Sequence, residues 1–123
     1  MKVLIIAAHG SRKETSNNEV AELAGRLAEK TKDRFDRVTH AFLQFADPLL
    51  ETTLDTVANQ GAQTVTIFPL FIGSGSHIRE DIPNLVDQAR TIHPQVNFRL
   101  TRHLGQIPAI EELILSEAIP EPD

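Results

Sequence analysis

The chain has 123 residues, a formal net charge of −5 and no cysteine, tryptophan or tyrosine. Without thiols there is no disulfide framework, thiol redox chemistry or zinc finger, so any metal must be held by histidine, carboxylate or amide groups. An acidic chain this poor in aromatic residues also lacks the basic, stacking surface that nucleic acid requires, and its length suits one core.

Taken in order, Val3 to Ala8 is a continuous apolar run that stops at His9-Gly10-Ser11-Arg12. Such a run predicts a strand covered on both faces, and it is too short for a signal segment or a membrane span. The expected location is the cytoplasm. From about Ser16 to Lys32, Val20, Leu23, Ala24, Leu27 and Ala28 recur at helical spacing, which predicts an amphipathic helix.

Arg37 to Phe45 reads as a second strand, followed by a helix with Asp47 as its N-cap and Pro48 in its first turn. Leu50, Leu54, Val57 and Ala58 supply that helix with an apolar stripe, and Gly61 ends it. A third strand begins near Gln63 and runs through Val65, Ile67, Leu70, Phe71 and Ile72 into Gly73-Ser74-Gly75-Ser76, which places His77 on a loop. A third helix is expected to bury Ile82, Leu85, Val86 and Ala89, with Pro83 in its first turn.

Val96, Phe98 and Leu100 alternate with Asn97 and Arg99 as an edge strand would. A last helix covers about Pro108 to Ala118, so one domain is expected over residues 1–119 with a tail at 120–123.

Strands that alternate with helices, joined by connections too long for hairpins, predict an α/β fold. It is a three-layer α/β/α sandwich around a mainly parallel four-stranded sheet. All strand carboxyl ends then share one edge, where ligands bind in open sheets of this kind. That edge receives His9, Gln44, His77 and the pair Arg102-His103 from distant parts of the sequence.

One such imidazole alone would as often make only a local hydrogen bond, but two beside an amide form an open, labile site for cobalt, nickel, iron or zinc. Arg12, Lys13, Arg79 and Arg102 at the same edge suit a polycarboxylate. Competing motifs are missing. Ala8 stands where a histidine phosphatase would have arginine before His9-Gly10, and there is neither a Gly-x-Ser-x-Gly elbow nor a Gly-Lys-Ser/Thr phosphate loop.

Three segments together resemble the small sirohydrochlorin chelatases of the CbiX type, class II chelatases. They are His9-Gly10-Ser11-Arg12, Phe42-Leu43-Gln44-Phe45-Ala46-Asp47-Pro48, and the stretch from Pro69-Leu70-Phe71 through Gly73, Gly75 and His77 to Asp81-Ile82-Pro83. The resemblance implies a chelatase-like fold and a homodimer, with ATP-independent insertion of cobalt, or iron or nickel, into sirohydrochlorin for cobalamin- or sirohaem-type biosynthesis. The divalent metal is then a substrate rather than a resident cofactor.

By the same resemblance His9 and His77 bind the metal and help remove the pyrrole protons, while Ser11, Arg12, Gly73, Ser74, Gly75 and Ser76 anchor the tetrapyrrole carboxylates. The chain departs from the family pattern at Gln44, where relatives commonly carry glutamate. An amide coordinates only weakly through its carbonyl and takes no proton at neutral pH. A second reading follows from that departure: a metal- or tetrapyrrole-binding homologue that has lost turnover. His103-Leu104-Gly105-Gln106-Ile107-Pro108 also differs, with isoleucine where relatives often have a second histidine before the proline.

Overall fold

The computed structural model describes residues 1–73 and 75–121, and for residues 76–79 the backbone only. Four strands, β1 (Lys2–Ala8), β2 (Arg37–Phe42), β3 (Thr64–Pro69) and β4 (Asn97–Leu100), form one sheet in the order β2-β1-β3-β4. Every neighbouring pair is parallel, with Val3 opposite Arg37 on one side and Val65 on the other, and Val65 opposite Phe98. The α/β fold with a parallel four-stranded sheet is therefore as the sequence predicts. β1, the most apolar segment, occupies an interior position, and β4 lies at an edge.

The helices are α1 (Glu14–Lys30), α2 (Leu50–Asn59), α3 (Ser76–Ile92) and α4 (Ala109–Ala118), with a 3-10 turn at Leu104–Gln106. On one sheet face Val3, Ile5, Ala7, Val65, Ile67 and Phe98 pack with Leu50, Leu54 and Val57 of α2 and Ile82, Val86 and Ala89 of α3, all buried. Side chains alternate along a strand, so Ile6, Ala8 and Phe42, also buried, face the other side, where α1 packs against β1 and β2 and buries Ala24. At about 25 cal/mol per Å² of apolar surface removed from water, these two layers are the main source of stability.

This arrangement fixes the place of the site. From β1 the chain passes to β2 on one side, and from β3 it passes to β4 on the other, so the connections diverge between β1 and β3. Such a switch point leaves a crevice outside the carboxyl ends of the two strands.

Four boundaries differ from the sequence reading. β3 ends at Pro69 rather than running on to Ile72, because the Phe71 carbonyl turns to the loop after β4 and accepts from Gly105 N–H at 3.1 Å. β2 ends at Phe42 rather than Phe45, because Phe42 N–H turns to Pro48 O at 2.8 Å and closes a loop over residues 43–49. Asp47 and Pro48 belong to that loop, so α2 starts at Leu50 with Leu49 at its N-cap and no side-chain cap. The third helix begins at Ser76, seven residues before Pro83, which therefore stands inside the helix instead of in its first turn. His77 accordingly lies in the first turn of α3 and not on a loop. Of the expected tail, Pro122 and Asp123 lie outside the described residues.

Candidate functional site

The loops after β1 and β2 are bonded together. Leu43 N–H donates to Ala8 O at 3.0 Å and Gln44 N–H to His9 O at 3.1 Å, which carries the parallel ladder two residues beyond the strands. Gly10 makes this approach possible: its φ is +90°, and a Cβ there would sit 1.8 Å from Gln44 O. Only glycine meets both demands without strain.

His9 is exposed at the mouth of β1 and lines a cavity of about 650 Å³ with Gln44, Glu51, Asp81, Asn84 and Gln88. The cavity therefore joins two of the predicted metal-site residues, His9 and Gln44. It also contains two carboxylates that the sequence reading did not place there, Glu51 from α2 and Asp81 from α3. Asp81 was readable in part, since it follows His77 by four residues, one helical turn. Glu51 was not, because only the packing of α2 beside α3 brings it to the cleft.

A second cluster supports His9 from the β3 side. Its ring lies 5.4 Å from that of Phe71, and Phe71 stacks at 5.6 Å and 28° on His103. The loop after β4 secures this arrangement, as His103 Nδ1 donates to Phe71 O at 3.2 Å and Gly105 N–H donates to the same carbonyl at 3.1 Å. Gly105 packs so closely that a Cβ would come 1.8 Å from Ile72 O.

Beside the cleft, Ser11, Arg12, Glu14, Asn17, Asn18, Phe45, Ala46 and Asp47 line a second cavity of about 430 Å³. Ser11 is held in place by Asn17, whose Oδ1 accepts from Ser11 N–H at 2.9 Å and whose Nδ2 donates to Ser11 O at 2.7 Å. The Ser11 hydroxyl oxygen accepts from Lys13 N–H at 3.0 Å, which leaves its own proton for a ligand. The Arg12 guanidinium lies 4.6 Å above the Phe45 ring.

Gly73 and Gly75 are exposed, and Gly75 is the N-cap of α3. Ser74 and the side chains of Ser76, His77 and Arg79 lie outside the described residues. Among the described residues no group of three His, Asp or Glu side chains is placed to hold an ion.

The remaining histidines are elsewhere. His40, half-buried, lies 5.4 Å from the Phe42 ring, and its burial lowers its pKa below the ordinary histidine value. His93 is buried, with Nε2 2.8 Å from Asp55 Oδ1, and joins the end of α3 to α2.

The CbiX family model matches residues 3–120. The chain belongs to the CbiX family. Among relatives of this CbiX chain, the sirohydrochlorin cobaltochelatase of Methanococcus aeolicus is 33% identical over 88 residues, covering 70% of this chain and 59% of that one. The chloroplastic sirohydrochlorin ferrochelatase of Arabidopsis thaliana is 31% identical over 102 residues, covering 83% and 44%. The match thus spans about half the length of these relatives.

Two solved structures share the fold. A CbiX protein from Marinobacter aquaeolei VT8 has a TM-score of 0.70 at 29% identity, covering 96% of this chain and 98% of its own. The sirohydrochlorin chelatase SirB from Bacillus subtilis, in complex with cobalt, has a TM-score of 0.79 at 20% identity, and the match covers 96% of this chain but 50% of SirB.

Proposed function

We propose that this CbiX chain inserts a divalent metal, Co²⁺ or in its place Fe²⁺ or Ni²⁺, into sirohydrochlorin without ATP. The single observation that carries the reading is His9, exposed at the β1–β3 switch point in one cavity with Gln44, Glu51 and Asp81. Family membership and the names of the relatives supply the substrate class.

The reaction exchanges one M²⁺ for the two pyrrole N–H protons, so the site must deliver a loosely held cation and accept protons close by. Neutral imidazole suits both tasks: it ligates borderline divalent metals, and as a base it takes a proton near neutral pH. We assign His9 and His77 to metal capture and proton removal, with Gln44 as a weak carbonyl ligand. Ser11, Arg12, Gly73, Ser74, Gly75 and Ser76 hold the carboxylates of the macrocycle, Arg12 by charge and the loop by backbone N–H groups.

The cytoplasm is the proposed location; among the described residues no helix is long and apolar enough to cross a membrane. The proposed assembly is a homodimer. In its support, α4 exposes Leu113, Ile114 and Leu115, with Ile119 just beyond its end. Exposed apolar side chains clustered on one helix suit a covering surface.

The test is purified protein incubated with sirohydrochlorin and Co²⁺, and separately with Ni²⁺ and Fe²⁺, followed by visible absorption. Acceleration of the spectral change over the protein-free mixture is expected. Binding of metal and tetrapyrrole without acceleration would identify a carrier and overturn the enzyme reading.

A further inference from the structure

Phe45 has a φ of +66° and is the one non-glycine position with positive φ among the described residues. For a bulky side chain this region is sterically unfavourable, and strain of this kind persists where surrounding structure imposes it, often at a ligand site. The imposed conformation does not bury the ring. Phe45 is 53% exposed even with the Arg12 guanidinium 4.6 Å above it.

A large aromatic ring held outward at a conformational cost is not explained by packing. Among the described residues Arg12 is the one cation lining the adjoining cavity, and Glu14 and Asp47 line it too, so a guest carboxylate is directed to the Arg12 guanidinium beside the Phe45 ring. On the opposite flank of the His9 loop, Ile72 is 64% exposed after β3. The loops carrying Phe45 and Ile72 leave strands on either side of β1, two strand spacings or roughly 10 Å apart, which matches a macrocycle lying across His9.

We propose that Phe45 is the stacking platform of the tetrapyrrole site, with Arg12 covering one face of the ring and the macrocycle taking the other. This rests on the chelatase reading for the identity of the guest. In free protein Arg12 orients the ring through the cation–π contact. On binding, the same guanidinium meets a substrate carboxylate at the platform's edge, so stacking and charge pairing fix the macrocycle in one register over His9.

The experiment is titration of sirohydrochlorin into wild-type, Phe45→Ala and Phe45→Gly proteins by absorption, beside Co²⁺ calorimetry and urea unfolding of each. Both variants are expected to bind sirohydrochlorin about tenfold more weakly, the scale of a lost aromatic contact with its buried area, and to keep the wild-type Co²⁺ affinity.

Glycine tolerates positive φ, so Phe45→Gly is expected to unfold at the same urea concentration as wild type or a higher one. Weaker tetrapyrrole binding without loss of stability separates a platform from a structural residue. Unchanged sirohydrochlorin affinity in both variants would overturn the proposal, and so would a parallel loss of stability and Co²⁺ binding. If wild-type protein binds sirohydrochlorin without inserting metal, the enzyme reading fails while the platform is still decided by the titration. If it does not bind sirohydrochlorin at all, both fail.

Discussion

Position 44 carries the sharpest residue-level consequence of the cleft. Gln44 is tied by its backbone to His9 O and lines the His9 cavity, so a carboxylate there would stand among the groups that receive the metal. A negative charge beside imidazoles raises their proton affinity and adds a charged ligand. Gln44→Glu is therefore expected to tighten Co²⁺ binding about tenfold and to quicken insertion, measured by calorimetry and absorption. Unchanged affinity would place residue 44 outside the metal site.

His9 was legible because an apolar run stopped abruptly at it. The positive φ of Phe45 was not, because it follows from how residues 43–49 close between Phe42 and Pro48, a loop geometry that no periodicity encodes. The sequence reading placed Gln44 at a strand end; the structure places it in that loop, where the alternation rule no longer governs its direction.

At the scale of elements, periodicity identified the four strands and α1 to α3 because each buries apolar residues; α4 was also identified, although none of its residues is buried. Periodicity failed at junctions, where hydrogen bonds from other segments decide the outcome. Pro83 is the clearest case: read as a helix start, it lies inside α3, since the helix extends back through Ser76 and takes His77 into its first turn.

The loop after β4 was the least legible element. Its role is to brace residues 71 and 72 through His103 and Gly105, contacts between segments about 30 residues apart. Gly105→Ala would push a Cβ onto the Ile72 carbonyl, a backbone atom that cannot rotate away. We expect a loss of about 1–3 kcal/mol of stability, together with slower insertion as Phe71 shifts against His9. Gly25→Ala in exposed α1, where a Cβ meets nothing, should instead stabilise by roughly 0.5–1 kcal/mol. Urea unfolding of both variants checks the contrast, and equal effects would refute the bracing role.

For the molecule as a whole, the unresolved tension is between α4 and water. Among the described residues α4 exposes Leu113, Ile114 and Leu115, an apolar surface that the proposed assembly would cover. A second copy is the proposed cover, and light scattering is expected to report about twice the 13.6 kDa chain mass. Leu113→Glu combined with Ile114→Glu should yield a folded monomer, because neither side chain is buried within the chain. A wild-type monomer at micromolar concentration would contradict this assembly.

The central claim is that an exposed imidazole at the β1–β3 switch point receives the metal and a proton. Comparing the initial rate of Co²⁺ insertion into sirohydrochlorin for wild-type and His9→Ala proteins tests it most directly. His9 fills no apolar gap and is exposed, so the variant should keep the wild-type circular dichroism while its rate falls by roughly 100-fold or more. Insertion at near the wild-type rate by a normally folded His9→Ala protein would contradict the account.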